Sequence, residues 1–221
     1  MHGLALRVDG LLRGGAGDSD PPEARTLRDW ALILVGAGLG YGAVMGTFGG
    51  VLGERFLQVL YSAIKVPLLL TVTFGVSLPS FFVLNTLMGM REDFGHVLGA
   101  LVATQAALTV VLLALAPFTA FWYASAANYE HALLFNGAMF AVASVTAQWV
   151  LRRRYGPLIA RRPRHRLLLR AWLGIYIFVG IQMAWVLRPF VGSPDLPVQF
   201  FRKEAWGNAY EFIAHIVWRA L

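Results

Sequence analysis

The chain has no cysteine. Disulfides, zinc–thiolate sites, iron–sulfur ligation and cysteine nucleophiles are therefore excluded, and the redox compartment stays open. Charge is scarce too. Only 14% of the 221 residues are Asp, Glu, Lys or Arg, against about 25% in a soluble domain. No acidic residue stands between Glu130 and Asp195, and none lies in the middle of any apolar run. Ion pumps and proton-coupled carriers keep titratable groups at mid-membrane, so that class is disfavoured. Catalytic patterns are missing as well. His2, His96, His131, His165 and His215 are scattered, and Glu211 with His215 reads as an i,i+4 contact rather than a metal site. There is no His-Glu-x-x-His, no Gly-x-x-x-x-Gly-Lys loop and no Gly-x-Ser-x-Gly elbow. No catalytic residue, cofactor or metal is expected.

What is present is apolar surface: 57% hydrophobic residues, 23 Gly, 15 Phe and 7 Trp, with mean hydropathy +0.60. Five apolar runs stand at 30–50, 66–88, 97–118, 132–150 and 167–187. Each approaches the ~20 residues a helix needs to cross ~30 Å of hydrocarbon. Trp30, Tyr61, Trp122, Tyr123, Trp149 and Trp185 flank them as interfacial aromatics would. The runs are continuous rather than alternating, which excludes a transmembrane barrel. The fold class expected is all-α: a polytopic bundle of about five transmembrane helices with interfacial amphipathic helices.

Three regions follow: a flexible cytoplasmic tail at 1–29, a five-span domain at 30–190 and a C-terminal interfacial segment at 191–221. The tail carries linker chemistry in GGAGDSDPPE, residues 14–23. Before it, Arg7, Asp9 and Arg13 interrupt the apolar residues, so no signal peptide is expected. Residues 2–13 read as a frayed tail or as a short partner-docking peptide. Residues 54–65 place Phe56, Leu60 and Ile64 at successive i+4 steps, the pattern of a separate surface-lying helix. Residues 205–221 read the same way.

Orientation follows from the cations. With the N-terminus inside, Arg7, Arg13, Arg25, Arg28, Arg91, Arg152, Arg153, Arg154, Arg161, Arg162, Arg164, Arg166 and Arg170 fall on the cytoplasmic side. Arg55, Lys65, Arg188, Arg202, Lys203 and Arg219 fall outside. Thirteen against six obeys the positive-inside rule and predicts N-in, C-out. The eight arginines of 152–170 form a basic loop expected to hold anionic lipid, at ~1 kcal/mol each, or an acidic cytoplasmic partner. No nucleic-acid-reading domain accompanies them.

Gly38, Gly42, Gly46 and Gly50 recur every fourth residue in the first run, with Gly36 and Gly40 as an adjacent pair. Such a stripe lets another helix approach closely, within the monomer or between copies; lining a path is a third use. Pro67, Pro79 and Pro117 break helical donors and read as kinks. Asn85, Gln105, Asn136, Gln148 and Gln182 are expected to bond between helices, at about 0.6–2 kcal/mol each.

Phe82–Arg91, which reads FVLNTLMGMR, leads into Asp93-Phe94-Gly95-His96-Val97. That layout resembles the Yip-type five-span membrane proteins. Ala63-Ile64-Lys65-Val66-Pro67-Leu68, Leu78-Pro79-Ser80 and Leu187-Arg188-Pro189-Phe190-Val191-Gly192-Ser193-Pro194 are similar to an uncharacterised family of bacterial integral membrane proteins. These resemblances imply a membrane location and no established catalytic residues. Some bacterial proteins of this build anchor larger assemblies, such as contractile injection particles. The function expected is a non-enzymatic scaffold or anchor in the bacterial inner membrane, contacting lipid, a cytoplasmic partner or a second copy. The alternative is a channel or facilitator for a small solute.

Overall fold

The computed structural model describes residues 8–12, 24–53, 55–125, 128–193, 196–202 and 209–210. Five long helices account for most of them: α1 (Ala24–Met45), α2 (Arg55–Leu87), α3 (Phe94–Ser125), α4 (Tyr129–Arg161) and α5 (His165–Leu187). Each is long and apolar enough to cross a membrane. No strand occurs among the described residues.

Local chemistry sets the ends of these helices. Past α1, Gly49 and Gly50 take positive φ in the turn, which only glycine does cheaply. At the end of α2, Met90 N–H donates to the Asn85 carbonyl and Gly89 N–H to the Thr86 carbonyl. With Gly89 at φ +71°, this is a Schellman cap. Asn128 caps α4 by accepting from the His131 N–H at 3.0 Å.

Helix α1 packs between α2 and α3; α4 lies on α3 and α5 on α2, whereas α4 and α5 barely touch. Helix α3 is the most buried and α5 the least. One apolar core joins Tyr41, Met45, Val66, Leu108, Leu112 and Ala143 at one end of the bundle. A second joins Phe81, Val97, Leu151, Tyr155, Leu168 and Trp172 at the other.

Three expectations change. Residues 54–65 do not form a separate surface helix. From Arg55 onward they are the first turns of α2, which continues through Pro67 and Pro79. Their amphipathic pattern is turned inside out. Phe56, Leu60 and Ile64 are exposed, while Gln58, Ser62 and Lys65 are buried. The basic stretch 152–170 is not a loop either. Helix α4 runs to Arg161 and α5 starts at His165, leaving a turn of three residues. Charged side chains ended the hydropathy count there, but they do not interrupt backbone i→i−4 bonding. Finally, residues 8–12 are helical, and Leu11 is buried against Ile33, Leu34, Ala103 and Val150. That part of the tail docks on its own chain. The C-terminal helix expected at 205–221 lies outside the described residues except for 209–210, as does the Glu211–His215 pair.

Candidate functional site

Two polar constructions stand at opposite ends of the bundle. At the first, the N-terminal half of α2 turns a row of polar side chains onto the irregular segment 188–193 that follows α5. Arg55 donates to the Ser193 carbonyl at 2.9 Å. Gln58 donates to Ser62 Oγ at 2.9 Å and to the Phe190 carbonyl at 3.3 Å. Ser62 Oγ donates to the same carbonyl. Lys65 Nζ donates to the Pro189 carbonyl at 2.7 Å and lies 4.8 Å from the centre of the Phe200 ring. These residues recur every three or four positions, so one helix face carries them all. A cation at the edge of an apolar run would ordinarily snorkel to water. Lys65 is fully buried instead. Its ammonium is satisfied by a carbonyl 124 positions away, a partner that no local spacing announces.

The glycine stripe forms the opposite wall of this construction. A Cβ on Gly42 would stand 2.4 Å from the Ser62 carbonyl oxygen and 2.8 Å from Ala63 Cα. On Gly46 it would stand 2.6 Å from Val59 Cα, and on Gly38 3.2 Å from Pro67 Cβ. These three glycines let α1 and the turn residue directly after it lie against α2. Gly50 is not part of the seam: it lies past α1, has φ +115° and faces open space. On the other side of α1, a Cβ on Gly40 would meet Leu113 of α3 at 2.8 Å, while Gly36 has nothing within 4 Å.

The amides behave as cross-braces. Tyr41 donates to Asn136 Oδ1 at 3.1 Å, and Asn136 Nδ2 donates to the Ala132 carbonyl at 2.8 Å and to Tyr123. Tyr176 on α5 donates to Gln105 on α3 at 2.9 Å. Gln182 accepts from the Ala209 N–H. Further along α2, Thr73, Ser77 and Asn85 are buried, and their side chains have no hydrogen-bond partner among the described residues.

At the opposite end the arginines divide their work. Arg154 donates to the Leu11 carbonyl at 3.0 Å and covers the Trp30 ring at 4.8 Å, clamping the docked N-terminal turn. Arg153 covers the Trp149 ring. Arg162 reaches Asp93 at 3.4 Å and Glu92 at 4.0 Å. The buried His165 ring meets the same Asp93 oxygen at 3.0 Å. Asp93 thus ties the α2–α3 connection to the α4–α5 turn. Arg152, Arg161, Arg164, Arg166 and Arg170 are exposed along the same stretch of α4, turn and α5. The sequence placed Asp93 only in a resemblance; the hub is built from residues 72 positions apart.

Asp93→Asn is expected to lower stability by about 1 kcal/mol, the usual worth of such a partly exposed charged hydrogen bond. Glu92→Gln is expected to leave it unchanged, because Glu92 is highly exposed and its contact is at the distance limit. Thermal unfolding in mild detergent separates the two. Equal shifts would remove Asp93 from its place as the hub.

No protein family, curated protein or solved structure matches this chain. Among the described residues no group of three His, Asp or Glu side chains could hold a metal ion.

Proposed function

We propose that this chain is a non-enzymatic membrane anchor. In this reading it crosses a bacterial inner membrane five times with its N-terminus in the cytoplasm. Its arginine end rests on anionic headgroups and offers a cationic surface to an acidic partner or a larger assembly. The observation that carries the reading is the division among the arginines. Arg154 and Arg162 hold the fold together, while Arg161, Arg164 and Arg166 are exposed at one short turn and Arg152 and Arg170 are exposed on the helices that flank it. Exposed cations clustered in this way attract anionic lipid and complementary acidic surfaces. The apolar exterior (Leu32, Val76, Phe121, Val145 and Phe178 are all exposed) supports placement in hydrocarbon. The likeness to Yip-type proteins and to bacterial integral membrane proteins enters this reading through layout alone.

A second reading, a facilitator for a small solute, rests on Thr73, Ser77 and Asn85, whose buried polar groups line one face of α2. Each such group costs about 1–3 kcal/mol when unsatisfied, and a polar solute passing along that face would satisfy it.

The absence of native cysteine makes the test direct. Single cysteines at Arg164 and Ser125 report the two ends in intact cells. The anchor reading expects an outside-only thiol reagent to label Ser125→Cys and to spare Arg164→Cys. It also expects an acidic protein to cross-link to the arginine end and to be lost when Arg152, Arg161, Arg164 and Arg166 become Gln. Labelling of Arg164→Cys from outside overturns the orientation and the cytoplasmic surface with it. Solute flux into liposomes that is abolished by Ser77→Leu would favour the facilitator.

A further inference from the structure

Helices α4 and α5 join near their connecting turn through the cluster around Tyr155, Leu168 and Trp172. Elsewhere they barely touch. Toward their other ends a cavity of about 460 Å³ lies against both, with Leu133, Gly137 and Phe140 from α4, Ala184 from α5 and Leu69 from α2 along its wall. Arg188 and Arg202 line it as well. Its size is that of a small-molecule site, roughly 300–1,000 Å³.

We propose that this cleft binds one anionic phospholipid, with an acyl chain in the apolar trough and the phosphate at Arg202, beside Arg188, whose guanidinium covers the Trp185 ring. The proposal rests on the chain being membrane-embedded, as above, but not on the anchor role or on the arginine end.

Three observations fit this occupant. The trough runs from Tyr129 to Phe140, eleven steps of helix or about 16 Å, close to the roughly 15 Å depth of one leaflet's hydrocarbon. Its walls are aliphatic and aromatic, and its neutral polar side chains are already engaged: Tyr129 bonds the Val191 carbonyl, and Asn136 bonds Tyr41, Tyr123 and Ala132. The cations gather at one end, that of the segment following α5. There Arg188 and Arg202 line the cleft beside Pro189, whose carbonyl holds the Lys65 ammonium, and a phosphate placed nearby would offset that concentration of positive charge. A neutral lipid tail would fill the trough without using that end, and a free phosphate would use that end without filling the trough. The two halves together select an anionic amphiphile.

Gly137 provides a clean test. It lines the cleft, and a Cβ there would meet nothing within 4 Å, so Gly137→Leu fills the trough without pushing on the fold. The full chain would be reconstituted in nanodiscs of equal phosphatidylglycerol and phosphatidylcholine, extracted in mild detergent and weighed by native mass spectrometry. The expected result is one retained phosphatidylglycerol per chain. Gly137→Leu and Arg202→Gln should each lower that retention at least fivefold, while Arg152/Arg161/Arg164/Arg166→Gln should leave it in place. Equal retention of phosphatidylcholine, undiminished retention by Gly137→Leu, or displacement by millimolar glycerol phosphate overturns the cleft as a lipid site. Loss only in the four-arginine variant also overturns it, while leaving the anchor reading intact.

Discussion

Gly42→Leu is expected to be among the most damaging single substitutions in the chain. Its Cβ alone would stand 2.4 Å from the Ser62 carbonyl oxygen and 3.0 Å from the Ser62 carbonyl carbon. Those are backbone atoms of α2, which cannot rotate away as a side-chain tip can. The helix pair must separate, and overpacking of this kind typically costs about 1–3 kcal/mol or more. The same separation would pull Gln58, Ser62 and Lys65 off the carbonyls they hold. Gly46→Leu should behave alike, with Val59 Cα at 2.6 Å. Gly36→Leu is the matched control on the same helix. It is exposed and has nothing within 4 Å, and it exchanges glycine for a better helix former, worth roughly 0.5–1 kcal/mol in stability. Thermal unfolding and size in detergent should show Gly42→Leu and Gly46→Leu unstable and Gly36→Leu unharmed. If Gly36→Leu disrupts an oligomer while Gly42→Leu is tolerated, the seam lies between copies rather than within one.

Lys65→Met should release the segment that follows α5. The thioether keeps most of the volume but donates nothing, so the Pro189 carbonyl loses its 2.7 Å donor. A buried acceptor left without a partner costs about 1–3 kcal/mol. Removing the buried ammonium offsets only its own desolvation. The readout is a single cysteine at Val191, which is fully buried. Its reaction with a small thiol reagent should quicken roughly ten- to a hundredfold in the Lys65→Met background, the factor that about 1.4–2.8 kcal/mol represents. Ser125→Cys, already exposed at the end of α3, should react at an unchanged rate. Equal rates at Val191→Cys with and without Lys65 would mean that packing, not the ammonium, holds the segment.

The number and order of the helices were legible because each apolar run is long and carries at most one charge, Arg170, near its start. The ends were not. Hydropathy stops at Lys65 and at Arg152, but α2 begins at Arg55 and α4 runs to Arg161, since backbone bonding continues wherever a side chain can find its own partner. The i+4 spacing of Phe56, Leu60 and Ile64 correctly marked a two-faced helix. Which face turns inward depends on the solvent. Against a polar partner segment the polar face is buried, and the apolar face is left for the exterior. The glycine spacing gave the seam at Gly38, Gly42 and Gly46, but it extended one repeat too far, because Gly50 serves a turn. The Lys65–Pro189 and Asp93–His165 contacts join positions far apart in the chain, and each partner alone looks ordinary in sequence.

Helix α5 has one further mechanical property. Its buried residues, His165, Leu168, Trp172 and Leu187, sit at its two ends, with none from 173 to 186. One end is fixed through Asp93. The other is fixed by the carbonyls of Pro189, Phe190 and Ser193, which α2 grips directly beyond it. A rod clamped at both ends can bow but cannot slide or pivot. Helix α5 is therefore held at both ends and braced between them by Tyr176 on Gln105, so its length and register stay constant.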